Sequence, residues 1–332
     1  MKLKQKIKLL PTSPGVYLMK DSLDNIIYIG KSKNLKKRVN SYFYELSNRS
    51  SKIDKLVKNI KDLEYILCDT EFDALLLECS LIKKYKPRYN KLMVNHEKYP
   101  YLSVTYKEKY PKIDVVLQKQ NDGSLYFGPF NSYNKTIVVK TILEEEFYIK
   151  TCSVNCFNKT YSGCLNYHLS KCLGPCRGEI YRLEYLKKVE MLIEFLESKS
   201  SFLIEKLEST MKEAAEKEDF VKAINIRDRL KDIEYINNQL VNLSDSKLNK
   251  KIVILDIIQK NLYKLYYIKG LNIVDREVIT MDSIDTTYIK DKAVKVFGEN
   301  HGEAVMNKES IDSINIINSF IKKNKDKIFY VE

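Results

Sequence analysis

The chain has 332 residues, 44% of them apolar, and a formal net charge of +13. This length can form two or three domains, each with its own hydrophobic core. The sequence has no apolar run of about 18 residues, which excludes a membrane-spanning helix, and we expect a cytoplasmic protein without a signal peptide.

The positive charge is concentrated at one end of the chain. Residues 1–95 contain 20 Lys and Arg against 10 Asp and Glu. A basic surface of this kind suits a nucleic-acid backbone, because each neutralised phosphate releases counterions. A solvated, lysine-rich surface without a ligand explains the same charge, so charge alone does not decide between the two.

The first predicted elements are a β-hairpin and a helix. Residues 15–19 and 26–30 have the composition of short strands, and the intervening KDSLDN has turn chemistry. The hairpin places Tyr17 and Tyr28 on neighbouring strands. Helical spacing begins at Asn34, and one face of that helix carries Leu35, Val39 and Tyr42.

A strong helical pattern further along carries an unexpected carboxylate. Thr70 and Asp73 have the spacing of an N-terminal cap, and Pro87 ends the helix. Glu78 lies next to the apolar stripe of this helix. A carboxylate that leans towards the interior needs a partner or a metal ion.

The remaining elements alternate between strand and helix patterns. We expect a helix over 51–60, a strand over 63–68, strands with turns over 92–150, a helical region over 181–240 broken at 217–220, and strands over 251–283. The sequence thus predicts an α+β multidomain protein: a small antiparallel sheet flanked by helices, a cysteine-rich module, a helical hairpin and a C-terminal β-rich segment. The expected boundaries are 1–95, 96–180, 181–240 with the hairpin at 203–236, and an α/β segment over 250–332.

Several of these residues have the chemistry of a phosphodiesterase site. The single carboxylate of Glu78 is enough to hold a divalent ion if water and phosphate oxygens fill the other positions. Lys31 and Arg38 can neutralise a phosphate. Their charge, together with that of the metal ion, favours the phenolate form of Tyr28, which then orients or deprotonates a water. The alternative is that these are ordinary strand and surface residues.

Two separated blocks, PGVY…YIGKSKNLKKRVNSYF and TEFDALLLECSLIKKYKPRYN, closely resemble the GIY-YIG nuclease domain of the UvrC family. The resemblance implies hydrolysis of a DNA phosphodiester with Mg²⁺ or Mn²⁺ on Glu78. The first motif reads Gly-Val-Tyr, as is usual in UvrC-like members. The implied catalytic residues are Tyr17, Tyr28, Lys31, Arg38, Tyr42, Glu78 and Asn90. The implied DNA-binding residues are Lys31, Lys33, Lys36, Lys37 and Arg38.

Four of the seven cysteines have the spacing C-x11-C-x7-C-x3-C. An odd number of cysteines argues against a disulfide framework, whereas four thiolates can hold zinc or an iron–sulfur cluster. Buried free cysteines are the other alternative. The segment resembles the cysteine-rich region of the UvrC family, although Gly163 stands where the family usually has proline and Cys156 is an extra thiol. This resemblance implies a [4Fe–4S] cluster on Cys152, Cys164, Cys172 and Cys176.

Residues 203–236 differ in charge from the N-terminal part. They contain 7 basic and 9 acidic residues, which favours protein docking over DNA binding. A helical pair with its own core is the alternative. The stretch DFVKAINIRDRL resembles the UVR motif of the UvrC family, which implies docking to UvrB. The implied contact residues are Phe220, Ala223, Arg227 and Asp228.

The resemblance covers residues 11–283, whereas complete family members continue with a second nuclease and DNA-binding hairpins. Relative to them, the segment 250–332 is truncated. We therefore expect an endonuclease that makes the 3′-side incision at lesions in double-stranded DNA during nucleotide excision repair, with UvrB and without a membrane partner. The alternatives are a non-catalytic adaptor for UvrB and DNA, and a GIY-YIG nuclease that acts without UvrB. The sequence does not indicate an oligomeric state.

Overall fold

The structure is a computed structural model that describes residues 3–44, 51–152, 163–247, 250–270, 272–280, 286–299 and 307–331. The chain forms two compact units, one made of residues 1–97 with 245–332 and the other of residues 98–244. None of the helices in the described ranges has the length and apolar character needed to span a bilayer.

The N-terminal part of the first unit contains a small antiparallel sheet with helices on both sides. Its elements are α1 (Leu3–Lys8), β1 (Gly15–Lys20), β2 (Ile26–Ser32), α2 (Leu35–Tyr44), α3 (Ser51–Asn59), β3 (Asp62–Leu67) and α4 (Glu71–Tyr85). The strand order is β2-β1-β3. The turn before β2 is closed by Asp21, whose carboxylate accepts hydrogen bonds from the N–H groups of Leu23 and Asn25. The predicted hairpin, helices and strand of this part are confirmed.

The sheet separates two hydrophobic cores. Tyr17 and Met19 of β1 pack with α1, α2 and α3, whereas Val16 and Leu18 pack with α4. This division follows from the alternation of side chains along a strand. Strand β1 therefore contributes Tyr17 to one core and packs against α4 in the other core.

Helix α4 begins and ends as predicted. The Thr70 hydroxyl accepts a hydrogen bond from the Asp73 N–H at 3.1 Å. At the other end Lys86 adopts a left-handed φ of 45°. The residue before a proline avoids helical backbone, so Pro87 stops the helix at this point.

The second unit combines a three-stranded sheet with a helical region. Its elements are β4 (Tyr101–Val104), β5 (Ile113–Val116), β6 (Leu125–Phe127), α5 (Tyr133–Glu146), α6 (Leu165–His168), α7 (Glu179–Leu196), α8 (Phe202–Glu216) and α9 (Phe220–Lys247). The sheet is antiparallel, with the order β5-β4-β6. The predicted break at 217–220 is confirmed, because α8 ends at Glu216 and α9 begins at Phe220.

One secondary-structure prediction is wrong in part. The strands with turns expected over 92–150 are present as β4, β5 and β6, but residues 133–146 form helix α5, whose N-terminus is capped by Ser132. Val139, Ile142 and Leu143 are buried with helical spacing. The β-branched residues of this segment favour strands on composition alone, and packing of the buried face overrides that preference.

The C-terminal part of the first unit is a second sheet with two helices. Its elements are β7 (Lys251–Gln259), β8 (Leu262–Lys269), β9 (Asn272–Thr280), α10 (Thr286–Gly298), α11 (Ile311–Lys323) and β10 (Ile328–Val331). The strand order is β10-β7-β8-β9. This part packs against α4: the ring of Phe72 stacks on Phe320 at 3.8 Å and meets the edge of Tyr266 at 5.0 Å.

Candidate active site

Three tyrosines meet on one side of the N-terminal sheet. The ring centroids of Tyr17, Tyr28 and Tyr42 lie 6.0–6.2 Å apart. The hydroxyls of Tyr17 and Tyr42 are 2.9 Å apart, and the Tyr42 hydroxyl donates to that of Tyr28 at 3.4 Å. Gly30 makes room for this cluster, because a Cβ there would lie 2.3 Å from the Tyr17 hydroxyl oxygen.

The titration of these tyrosines differs from the sequence-based expectation. The pKa of Tyr28 is raised, first by burial and then by Tyr42, and Arg38 lowers it only slightly. Burial likewise raises the pKa of Tyr17. Arg38 acts in the predicted direction, but without a metal ion the desolvation of the phenolate outweighs the attraction of its guanidinium.

A basic surface adjoins the tyrosine cluster. The Nη2 atom of Arg38 lies 3.4 Å from the Tyr42 hydroxyl, and its guanidinium lies 5.2 Å from the centre of the Tyr42 ring. Four side chains at and just before the start of α2 are exposed to solvent: Lys33, Lys36, Lys37 and Arg38. The predicted DNA-binding lysines thus lie on the surface beside the candidate site.

Glu78 reaches the same site from α4. Its Oε1 atom accepts a hydrogen bond of 3.0 Å from the backbone N–H of Lys31, at the end of β2. Burial raises the pKa of Glu78, while this hydrogen bond and the charges of Lys31 and Arg38 lower it. Glu78 in turn helps to raise the pKa of Tyr28. In the described part of the chain no hydrogen bond reaches its Oε2 atom, which leaves that oxygen for a ligand.

Asn90 acts on the backbone of β2. Its Oδ1 atom accepts from the N–H of Ile29 at 3.0 Å, and its Nδ2 atom donates to the carbonyl of Ile29 at 2.9 Å. This pair of bonds replaces a neighbouring strand at the free edge of β2. Asn90 therefore positions the residues on either side of Ile29, which are Tyr28 and Gly30.

Glu71 is a site residue that the sequence reasoning missed. Its Oε1 atom is 2.5 Å from the Lys31 Nζ atom, and its Oε2 atom is 3.4 Å from the Lys33 Nζ atom. The hydrogen bond from Lys31 lowers the pKa of Glu71. The available signal was its spacing: Glu71 and Glu78 are seven residues apart, which places them on one face of a helix.

The four predicted cluster cysteines lie near one another in the second unit. Burial raises the pKa of Cys172, and the thiols of Cys152, Cys164 and Cys176 raise it further. Nevertheless, among the described residues no three His, Cys, Asp or Glu side chains are arranged as a metal site. Four thiols are, however, the ligand set that an iron–sulfur cluster or a zinc ion uses. Cys156 lies outside the described residues.

The helical hairpin of α8 and α9 has a buried side and an exposed side. Ile226 and Leu230 belong to the core of the unit. Phe220 is 62% exposed, and Arg227 and Asp228 are also exposed, paired with each other at 2.9 Å. Ala223 is partly exposed. The hairpin therefore completes a core and also presents an apolar tip to solvent.

Comparison with known families accounts for most of the chain. Residues 13–91 match the UvrC-like GIY-YIG domain, residues 99–195 match the UvrC/Cho excinuclease middle domain, and residues 203–236 match the UvrB/uvrC motif. The three matched segments coincide, in this order, with the N-terminal sheet and its helices, with the second unit as far as α7, and with the helical hairpin of α8 and α9.

Whole-chain comparison finds similar proteins in several bacteria. UvrABC system protein C from Caldanaerobacter subterraneus subsp. tengcongensis is 43% identical over 242 residues, which cover 72% of this chain and 39% of that protein. The one from Acetivibrio thermocellus is 33% identical over 340 residues, covering 99% of this chain and 54% of that protein. The one from Clostridioides difficile is 37% identical over 288 residues, which cover 85% of this chain and 47% of that protein. The chain thus spans about half the length of these relatives.

A solved structure is similar to the N-terminal part. It is the GIY-YIG N-terminal endonuclease domain of UvrC from Thermotoga maritima, bound to its catalytic divalent cation, magnesium. It is 39% identical, covers 27% of this chain and 96% of that domain, and has a TM-score of 0.25. By its three matched segments and its alignment over 99% of its own length with UvrABC system protein C from Acetivibrio thermocellus, the chain belongs to the UvrC-like family of excinuclease subunits.

Proposed function

We propose that this protein is a DNA endonuclease of nucleotide excision repair that hydrolyses one phosphodiester on the 3′ side of a lesion, together with UvrB. The observation that carries the proposal is Glu78, a half-buried carboxylate with a free oxygen beside Tyr28, Lys31 and Arg38. Such a group binds a hard cation such as Mg²⁺ or Mn²⁺, which prefers oxygen ligands.

Glu78 would be the protein ligand of this ion, with water and phosphate oxygens completing the coordination. When bound, the ion polarises the scissile phosphate and stabilises the leaving alkoxide. Arg38 and Lys31 neutralise the phosphate charge. Tyr28 accepts a hydrogen bond from Tyr42, so its own O–H is available to orient the attacking water.

The remaining site residues hold this arrangement. Tyr17 is buried and fixes the hydroxyl of Tyr42 at 2.9 Å. Asn90 fixes the backbone of β2 through both hydrogen bonds to Ile29. Because Tyr28 and Lys31 lie on this strand, its register sets the positions of both side chains.

An incision assay on an end-labelled duplex with a single lesion tests the proposal. We expect a nick on the 3′ side only when Mg²⁺ and UvrB are both present. Nicking that persists in EDTA contradicts the metal assignment. Equal nicking of undamaged DNA without UvrB identifies a UvrB-independent nuclease, and DNA binding without any nicking identifies an adaptor.

The exposed tip of the helical hairpin supports docking to UvrB. Phe220 is 62% exposed, and the charged pair of Arg227 and Asp228 lies about two turns further along α9. An exposed aromatic side chain of this kind is a typical anchor of a protein interface. We expect Phe220→Ala to weaken UvrB binding, whereas Phe202→Ala, at an aromatic that is 50% exposed elsewhere on the hairpin, does not.

We also propose that Cys152, Cys164, Cys172 and Cys176 bind a [4Fe–4S] cluster, with zinc as the alternative. Their mutual electrostatic effect on Cys172 supports this, because four neighbouring thiols are a ligand set for either group. Visible absorption and metal content of anaerobically purified protein test it. Zinc without absorption identifies a zinc site, and the absence of both metals contradicts the proposal.

A further inference from the structure

Lys31 is held at two points by two carboxylates of α4. Its backbone N–H donates to Glu78, and its ammonium donates to Glu71 at 2.5 Å. The two glutamates are separated by about 10.5 Å along the helix, at 1.5 Å per residue. The position of the strand is therefore set by Glu78, whereas Glu71 holds only the charged end of the side chain.

Glu71 uses both oxygens to bridge two lysines. The second lysine, Lys33, lies 3.4 Å from Oε2 and has a side chain that is 79% exposed. The side chains of Lys31 and Glu71 are 30% and 36% exposed. An anionic group between two ammonium ions has the geometry in which lysines hold a phosphate. Ion pairs at such a surface are weak and exchangeable.

We propose that Glu71 occupies a phosphate subsite of the DNA-binding surface, and that a backbone phosphate of the bound strand displaces it from Lys31 and Lys33. The inference rests on the proposed DNA nuclease function and adds a binding site to it. The hydrogen bond of the Lys31 backbone to Glu78 does not involve Glu71, so the strand keeps its position when the ammonium changes partner. Glu71 thereby weakens binding to DNA in general.

This exchange predicts a difference in affinity with an unchanged salt slope. The counterions that a phosphate contact releases come from the DNA, so wild type and a variant without the Glu71 charge release the same number once both lysines reach a phosphate. Wild type must in addition break the ion pairs of Glu71 with Lys31 and Lys33. A partly exposed ion pair is weak, so its absence corresponds to a gain in affinity of about twofold to fivefold.

The experiment measures binding of the full chain to an undamaged duplex in EDTA between about 50 and about 200 mM salt. We expect Glu71→Gln to bind about twofold to fivefold more tightly than wild type at each salt concentration, with the wild-type slope. Glu64→Gln is the matched control, because Glu64 pairs with Lys20 at 2.6 Å on the same sheet and its loss changes the net charge equally. Glu64→Gln and the charge-preserving Glu71→Asp must both keep the wild-type affinity.

Unchanged or weaker binding by Glu71→Gln overturns the inference and makes Glu71 a residue that only positions Lys31. A slope steeper than that of wild type also overturns it, because it shows that phosphate does not displace Glu71 in the wild-type complex. If thermal unfolding shows that Glu71→Gln does not fold, Glu71→Ser carries the same expectation, since serine suits the start of a helix. Failure of the proposed function is distinguished by the wild-type protein, which would then not nick a UvrB-loaded damaged duplex with Mg²⁺ at all.

Discussion

Helix α4 presents ionisable side chains to two different surroundings. On one side Glu71 and Glu78 face the lysines and tyrosines of the candidate active site, where side chains are partly exposed. On the other side Asp73 is 2.7 Å from Lys264, and Lys83 is 3.0 Å from Asp312. The side chains of the latter pair are only 7% and 3% exposed.

The two sides differ in what their charges can do. A buried ion pair has lost its hydration, so removal of one partner leaves an uncompensated charge at high cost. A partly exposed pair contributes little to stability and can exchange its partner for a ligand. Helix α4 therefore has a structural side, with Asp73 and Lys83, that packs against the C-terminal part. Its chemical side, with Glu71 and Glu78, faces the candidate active site.

The largest expected effect is on the chemical side. Glu78→Gln should reduce Mg²⁺-dependent nicking about a thousandfold, because metal assistance supplies several kcal/mol of transition-state stabilisation. The thermal midpoint should not fall, because the variant removes a carboxylate that burial already disfavours. Nicking rates and thermal unfolding of the same preparation measure both. A large loss of stability would show that Glu78 has a structural role, and the two sides of α4 would then not differ in function.

The second effect is on the structural side. Asp312→Asn should lower the free energy of unfolding by about 3 kcal/mol, because Lys83 then keeps a buried charge without its anion. Urea denaturation measures the loss. The double variant Lys83→Met with Asp312→Leu should recover most of it, since apolar residues replace a buried pair well. A loss for Asp312→Asn no larger than that of an exposed substitution contradicts this interpretation.

A smaller effect tests the aromatic contact of the same interface. Phe320→Ala should cost about 2 kcal/mol, because it removes the stacked ring at 3.8 Å from Phe72 and leaves a cavity. Nicking per folded molecule should be unchanged. The matched control is Phe202→Ala, at a side chain that is 50% exposed, for which we expect a change below about 0.5 kcal/mol. Equal losses in the two variants would mean that the stacking contributes nothing.

The smallest effect depends on pH. Tyr266 is fully buried and its hydroxyl is 2.7 Å from that of Thr70, and burial raises its pKa. In the unfolded chain this tyrosine ionises near pH 10, whereas the folded state keeps it neutral. Its contribution to the free energy of unfolding is therefore present below about pH 10. Above that pH the contribution falls by about 1.4 kcal/mol per pH unit.

Tyr266→Phe removes both the hydrogen bond and this titration. At about pH 8 the variant should be less stable than wild type by about 1 kcal/mol, and by about pH 11 the two should be equally stable. Urea denaturation at both pH values measures the difference. A difference that stays constant with pH would contradict the assigned burial of the hydroxyl.

Local patterns predicted much of the candidate site. The hairpin followed from its turn residues, and α4 followed from the Thr70 cap and Pro87. Glu78 was identifiable because a carboxylate beside an apolar stripe is anomalous. Helix α5 was missed because its β-branched residues favour strands until the buried face is seen. Glu71 was missed because an acidic residue in the first turn of a helix is ordinary.

The sequence by itself determined the elements that carry Tyr17, Tyr28 and Glu78, because strand alternation, turn chemistry and helix caps act between near neighbours in the chain. Only the tertiary structure decided the pKa values of these side chains and the long-range contacts that hold their helix and strands in place. Burial raises the pKa of Tyr28 against the expectation from its charged neighbours. The pairing of Asp73 with Lys264 joins residues 191 positions apart. Such contacts depend on how whole elements pack, so no local pattern encodes them.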